Sequence, residues 1–387
     1  MSLIVQKYGG TSVGTTELIL EVTKIIQEFY LKGNQLVVVF SAMMGETNRL
    51  LNLAKKISFI HHKSELDILA STGEQVTIAL ISMALKDLGL KVKSYCGWQI
   101  PIITTNDFTN SRIKTINTSK IIEDLNNNYI VIITGFQGVT QDGEITTLGR
   151  GGSDTSAVAL AVALKANECQ IYTDVDGVYN ADPHKIASAK KIDVVDGACM
   201  LEAASLGTKI LQVRSCELAY RYKTNIRILS TFSKQNLGTL VMNESNLENY
   251  PIISISTEEY QVLVTIKTQE KMNELLSDIY KDINIDMLSI NQHGIIFVTN
   301  KQFVNELTSI LDKYKIKDIT ITEELIKISL IGSGFRSNQK LNQQIWQLIN
   351  GVDILATSHN EISISFIVNY HNAKNLTNIF SSTFCNS

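Results

Sequence analysis

The stretch Thr146–Ala161, TTLGRGGSDTSAVALA, constrains this chain more than any other. A polar, glycine-rich turn runs straight into an apolar helix. Gly149, Gly151 and Gly152 remove Cβ atoms where a backbone must come close to something else. Ser153 or Asp154 stands where a residue caps the helix, and the free N–H groups of its first turn then form an anion site. Arg150 adds a fixed fork of donors for a carboxylate or a phosphate. A lone GRGGSD is also compatible with an ordinary loop and a capped helix. A second turn of the same kind at the N-terminus weighs against that. Lys7 precedes Gly9-Gly10, which sets an ammonium beside a nest of backbone N–H groups suited to polyphosphate.

Around these turns the chain alternates strand and helix. Leu3–Lys7 is a short apolar run before the glycines, and a helical pattern follows over Thr16–Leu31. Gln35–Phe40 (QLVVVF) is β-branched and apolar on both faces, as a buried parallel strand should be. A helix follows SAMMGETN through Ile57, and another runs from Gly73 to Leu88 with Val76, Ala79, Leu80 and Met83 on one face. Strands follow at Lys91–Tyr95 and Tyr129–Thr134, and Asp142-Gly143 marks a hairpin. After the helix that opens at Ser153 comes the strand Gln170–Thr173. This alternation predicts an α/β fold, a mainly parallel sheet sandwiched by helices, with ligands beyond the carboxyl ends of its strands. Four glycine- or hydroxyl-rich loops sit at such ends: KYGGTSVG, SAMMGETN, TGFQGV and TDVDGVYNADP.

Composition narrows the classes. The chain has 387 residues, enough for two or three domains, with 44% hydrophobic and 19% charged residues. A net charge of −3 without a long basic run speaks against nucleic acid or an anionic membrane as partner. No apolar run of spanning length stands out, and the N-terminus lacks the pattern of a secretory signal. Five scattered cysteines without a CxxC argue for reduced thiols in a cytoplasm and against a zinc site. His61-His62 has no carboxylate or cysteine at ligand spacing and reads as a solvated loop, so no metal site is expected of the protein's own side chains. Neither GxxxxGK[ST] nor a GxGxxG after a strand occurs, which removes P-loop and dinucleotide-binding readings.

The words KYGGTSVG at Lys7–Gly14, SAM at Ser41–Met43, TGE at Thr72–Glu74, TGFQGV at Thr134–Val139, TLGRGGSDT at Thr147–Thr155 and TDVDGVYNADP at Thr173–Pro183 resemble aspartokinases, in that family's order and spacing over nearly the whole chain. The resemblance implies transfer of the γ-phosphoryl group of MgATP to the β-carboxylate of L-aspartate, with ATP and Mg2+ as cofactors. It implies Lys7 and Asp154 as catalytic residues and Ser41, Thr47, Glu74, Arg150 and Ser153 around aspartate. Lys7, Tyr8, Gly9, Gly10, Thr173, Asp174, Tyr179, His184 and Lys209 fall on the nucleotide side. A carboxylate nucleophile is already ionised at neutral pH, so the absence of a poised His or Cys is no objection. One departure stands out: the family usually reads DPR where this chain has Asp182-Pro183-His184. Histidine cannot replace a permanent bidentate donor, so weaker ATP binding is expected.

Beyond Pro251 the pattern becomes strand, helix, strand, strand, helix, strand, twice. It resembles the tandem ACT domains of aspartokinases, with INIDM and LIGSG as the clearest words. The expected domains are a catalytic amino-acid-kinase domain over 1-245 and two α+β ACT (βαββαβ) modules over 251-322 and 323-387; the resemblance implies that Ile252–Ile255 gives a strand to the second module, so that the two interleave. The resemblance implies a homodimer or dimer of dimers and a lysine or threonine effector. The loop Lys267–Lys271 (KTQEK) lacks the glycine turn of feedback-regulated members, so weak, altered or absent inhibition is expected. Two other readings stay open here: another amino-acid kinase, or a weakened ligand-sensing paralogue.

Overall fold

The computed structural model describes residues 1–58, 62–186, 188–208, 210–233, 237–243, 252, 254–268 and 271–384. The chain divides into two compact units. The first comprises Met1–Val178, Lys191–Ala204 and Lys209–Asn246; the second comprises Tyr179–Lys190, Ser205–Thr208 and Leu247–Ser387.

Chain order in the first unit begins β1 (Leu3–Tyr8), α1 (Thr16–Leu31), β2 (Gln35–Phe40), α2 (Glu46–Ile57), α3 (Lys63–Asp87) and β3 (Val92–Tyr95). It continues with β4 (Ile102–Thr104), β5 (Ile113–Ile116), α4 (Ser119–Asn126), β6 (Ile130–Thr134), β7 (Gln137–Val139) and β8 (Ile145–Thr147). Then come α5 (Gly152–Leu164), β9 (Glu168–Thr173), β10 (Val178–Tyr179), β11 (Lys191–Ile192), β12 (Val194–Asp196), α6 (Gly197–Ser205), α7 (Val213–Arg221), β13 (Ile226–Ser230) and β14 (Thr239–Met242). An eight-stranded sheet runs in the order β12-β14-β13-β9-β1-β2-β6-β3, parallel except where β13 meets β14. A four-stranded sheet, β5-β4-β7-β8, includes the hairpin expected around Asp142-Gly143. Because β9, β1, β2 and β6 are consecutive and parallel, the four loops singled out above all leave the sheet at one edge.

Strand alternation sorts the faces. Ile4 and Tyr8 of β1 pack with Val38 and Phe40 of β2 against Ile19, Val22 and Ile26 of α1 and Ile78, Ile81 and Leu85 of α3. Val5 and Lys7 point the other way, where α5 crosses β1, β2 and β9. The small residues Ala157, Val158, Ala159 and Ala161 let that helix lie close to the sheet.

Three expectations are corrected here. α3 begins ten residues before Gly73, and Val76, Ala79 and Met83 face solvent. The buried stripe mixes Ile78, Ile81 and Leu85 with Ser71, Glu74, Thr77 and Ser82, so a search for apolar residues alone selects the wrong face. α3 is also long and apolar enough to cross a membrane by composition, yet half of its most apolar window is buried inside the fold, as in a core helix. The third concerns the cap of α5: neither Ser153 nor Asp154 caps it. Gly151 is the N-cap at φ 70°, and both side chains lie inside the first turn.

The second unit holds β15 (Ser254–Ile266), α8 (Met272–Asp282), β16 (Asp286–Asn291), β17 (Gly294–Asn300), α9 (Val304–Lys313), β18 (Ile319–Ile331), α10 (Gln339–Leu348), β19 (Ile354–His359), β20 (Ser363–Asn369) and α11 (Tyr370–Phe384). Its sheet has the order β16-β17-β15-β18-β20-β19 and is antiparallel throughout. β15 and β18 are long enough to serve both βαββαβ repeats. Gln261–Ile266 pairs with β17, while Ser254–Glu258 pairs with Ile331–Lys327 of β18, whose partner there is β20. One core cluster gathers Leu275, Ile279, Leu307 and Leu311 of α8 and α9, and the other Leu341, Ile345, Leu376 and Phe380 of α10 and α11. Lys327 is buried with Glu258 at 2.6 Å and Asp286 also in contact.

Candidate active site

A cavity of about 1100 Å3 opens in the first unit beyond the carboxyl ends of the parallel strands. It is lined by Lys7, Gly9 and Gly10 after β1, by Ser41, Thr47 and Asn48 after β2, by Phe136 after β6, by Thr173 and Asp174 at the end of β9, and by Gly149–Asp154 before and within α5. Asp67, Ala70 and Glu74 come from α3. Four parallel strand ends, a helix N-terminus and one long helix thus converge on one space.

Lys7 and Asp154 form its deepest charged contact. Lys7 Nζ lies 2.6 Å from Asp154 Oδ1, with both side chains about nine-tenths buried. The pair is a close Coulombic contact, and an ammonium carries three donors, so Lys7 can meet Asp154 and a further group together. The Lys7 ammonium also stands beside Gly9: a Cβ there would meet Nζ at 3.3 Å. Asp154 is held by its place in the first turn of α5, which the left-handed Gly151 starts. A Cβ on Gly151 would lie 1.9 Å from Gln212, so both conformation and space demand glycine.

Glu74 is 3% exposed on the inner face of α3. Its Oε1 accepts from the Ala42 N–H at 3.1 Å, and its Oε2 has the Gln137 amide at 3.5 Å. Gln137 is itself oriented by donating to the Ser71 carbonyl and by accepting from the Thr134 hydroxyl at 2.9 Å. Burial pushes the Glu74 carboxyl up to about 7, with those hydrogen bonds opposing only part of the rise. The Glu74 carboxylate thus stands buried at the cavity wall between the Ala42 N–H and the Gln137 amide.

Of the other residues expected here, Ser41, Thr47, Arg150, Ser153, Gly9, Gly10, Thr173 and Asp174 all line the same cavity. Tyr8 does not: its ring is fully buried, stacked between Phe40 and Tyr172 at 5.5 and 4.5 Å, with its hydroxyl pushed well above the usual tyrosine range by burial. Only its backbone stands near the turn, where its carbonyl accepts from the Ser41 N–H. Tyr179 and His184 belong to the second unit, where the exposed His184 donates its N–H to Asp182 Oδ1 at 2.9 Å. Lys209 and His61 lie outside the described residues, as do Gln269 and Glu270 of the KTQEK loop, Pro251 and Cys385.

Asp67 is a lining residue that sequence reading missed. It is 1% exposed and accepts from the N–H groups of Thr109 and Thr147 at 2.9 Å and from the Thr147 hydroxyl at 2.6 Å, while burial raises its pKa. Its signal was present: Asp67 and Glu74 stand seven residues apart, two turns along one face of the same helix. The cavity therefore carries Lys7, Lys55, Lys63 and Arg150 together with Asp67, Glu74, Asp154 and Asp174. Such a set can hold two anionic molecules while reading an ammonium on one of them.

Comparisons with known proteins bear on the family and the fold. The amino acid kinase family profile matches residues 2–230. An aspartate kinase of Stutzerimonas stutzeri is 40% identical over 386 residues, covering 95% of this chain and 93% of that protein. The fold matches the crystal structure of E. coli aspartokinase III in complex with aspartate and ADP, with a TM-score of 0.83 at 22% identity over 98% of this chain and 99% of that one. It also matches the same enzyme in complex with lysine and aspartate, with a TM-score of 0.81 at 22% identity over 99% of both chains.

Proposed function

The chain belongs to the amino acid kinase family and, within it, to the aspartokinases; from that premise we propose that it transfers the γ-phosphoryl group of ATP to the β-carboxylate of L-aspartate, giving 4-phospho-L-aspartate and ADP. The observation that carries this reading is the buried Lys7–Asp154 pair, 2.6 Å apart, in one cavity with Glu74 and Arg150. The nucleophile arrives ionised, so the protein has no proton to remove. Its task is to align two anions and neutralise the charge on the moving phosphoryl group. Lys7 meets that charge, the N–H groups of Gly9 and Gly10 add oriented dipoles, and Asp154 keeps the Lys7 ammonium in place. Arg150 takes a carboxylate of aspartate, Glu74 its ammonium, and Ser41, Thr47 and Ser153 supply hydroxyls. Thr173 and Asp174 contact the nucleotide, with Tyr179, His184 and Lys209 assigned to it by family resemblance.

Mg2+ on the nucleotide would offset phosphate charge when bound. An ion carried by phosphates needs only one or two protein carboxylates, and Asp154 and Asp174 on the cavity wall suit that need.

The paired βαββαβ repeats of the second unit read as ACT modules that retain dimerisation, with weak, altered or absent inhibition by a lysine or threonine effector. The product would then enter amino-acid biosynthesis toward lysine and diaminopimelate, threonine and methionine in the cytoplasm. The catalytic reading favours an enzyme over a ligand-sensing paralogue, because Lys7 and Asp154 are both present and paired. Trapping acyl phosphate as a hydroxamate, with ATP and either aspartate, glutamate or buffer, tests it. Product with aspartate alone is expected; glutamate-dependent product, or none, would sink the reading.

A further inference from the structure

In the loop that presents Arg150, Gly149 and Gly151, at φ 78° and 70°, flank the exposed arginine. Two side chains outside the loop grip the backbone leading into it. From α3, Asp67 accepts from the Thr147 N–H and hydroxyl. From α7, Arg214 Nη1 donates to the Leu148 carbonyl, the last backbone acceptor before Gly149. The same two residues grip a second segment, Thr109–Ser111. Asp67 accepts from the Thr109 N–H at 2.9 Å, while Arg214 donates to the Ser111 carbonyl at 2.9 Å and to Asn110 Oδ1 at 3.3 Å. The segments also bond directly, through the Ser111 N–H to the Thr147 carbonyl at 2.9 Å, and a Cβ on Gly149 would meet the Thr109 carbonyl at 2.9 Å.

The chemistry of the clamp suits its place. Asp67 carries only acceptors, and it faces two N–H groups and a hydroxyl. Arg214 carries only donors in a planar fork, and it faces two carbonyls and an amide oxygen. A lysine at 214 could reach one of those acceptors but not span them, and an asparagine at 67 would turn a donor toward an N–H. Both residues sit half-buried or deeper, so partners left unmet there are costly. The Arg214 guanidinium is set back from the cavity wall, which it does not line, whereas Asp67 lines it.

We propose that Asp67 and Arg214 are positioning residues that fix the Thr147–Gly151 loop and thereby hold Arg150 where the carboxylate of the amino-acid substrate binds. This rests on the reading of Arg150 as the substrate's carboxylate receptor. The clamp acts before phosphoryl transfer, on the affinity for one substrate, and leaves Lys7 and Asp154 in place.

Steady-state kinetics of Arg214→Lys, Asp67→Asn, Arg150→Ala and the double variant Arg150→Ala/Arg214→Lys test it, with circular-dichroism melts of each. The expected result is a KM for aspartate raised about tenfold to a hundredfold in Arg214→Lys and Asp67→Asn, with kcat and the KM for ATP within about twofold. On the Arg150→Ala background, Arg214→Lys should add little, because its effect passes through the residue already removed. A full additional rise in the double variant, or a kcat that falls with the melting temperature while the aspartate KM stays put, overturns the proposal and leaves the Arg150 reading standing. An unchanged aspartate KM in Arg150→Ala overturns both. Should Arg214→Lys fail to fold, the same cycle with Asp67→Asn decides the matter.

Discussion

At the scale of single residues, the site is built from charges the fold has partly removed from water. Lys7 and Asp154 offset one another, so deleting one leaves the other as a buried, unpaired charge. Lys7→Met is therefore expected to lower kcat by about 100-fold or more and to cost roughly 1–3 kcal/mol of stability. Adding Asp154→Asn should recover most of the stability and none of the activity, a split that urea melts and initial rates read together. Glu74 makes a pH-dependent prediction. Its carboxyl, ordinarily at 4.5, sits at about 7, so the empty site holds a neutral acid below that pH. An aspartate ammonium needs the charged form, and binding below pH 7 must first expel a proton. The KM for aspartate should rise as pH falls from 7 to 6, by up to about tenfold per unit, and level off above pH 7.5. The stability of the ligand-free protein moves oppositely: the buried carboxylate destabilises the fold above pH 7, and that cost is released as pH falls toward 4.5. Glu74→Gln should flatten both profiles. Lys7, Glu74, Arg150 and Asp154 were legible from sequence because each sits in a short word of polar and glycine residues. Arg214 was not, since LQVRSCELA reads as an ordinary amphipathic helix and its partners are backbone carbonyls more than 60 residues away.

At the scale of elements, the chain uses glycine turns to bring α5 and its first-turn residues against a sheet edge. The sequence marked the turn at Gly149–Gly152, but the capping rule pointed to the side chains of Ser153 and Asp154. The turn instead uses a left-handed Gly151, which leaves those side chains free to face the cavity. Gly151→Ala tests that. A methyl group there meets Gln212 and forces an unfavourable φ, so about 1–3 kcal/mol of stability should be lost, together with most turnover. A variant with unchanged melt and rate would show the turn to be adaptable. Helix α3 teaches the complementary lesson. Its inner face carries the polar residues that build the cavity, so an amphipathicity argument assigns its sides backwards. Periodicity finds the helix; only the packed sheet decides which stripe is inside.

At the scale of the whole chain, the order of elements and the two βαββαβ repeats were readable from strand spacing. The sharing of β15 and β18 between the repeats is a long-range pairing that a local pattern cannot fix. Control is expected to be weak: phosphotransfer with millimolar lysine or threonine should fall little, and strong inhibition by either would contradict that expectation. His184→Arg, which restores the family's usual residue, should lower the KM for ATP if residue 184 contacts the nucleotide. Above all, this chain is expected to make an acyl phosphate on aspartate using Lys7. Phosphorus-31 NMR of the purified protein with MgATP and aspartate measures that most directly. An acyl-phosphate resonance is expected to grow as the γ-phosphate signal falls, dependent on aspartate and abolished in Lys7→Met. Loss of the γ-phosphate to inorganic phosphate alone, or an acyl phosphate that persists in Lys7→Met, would contradict it.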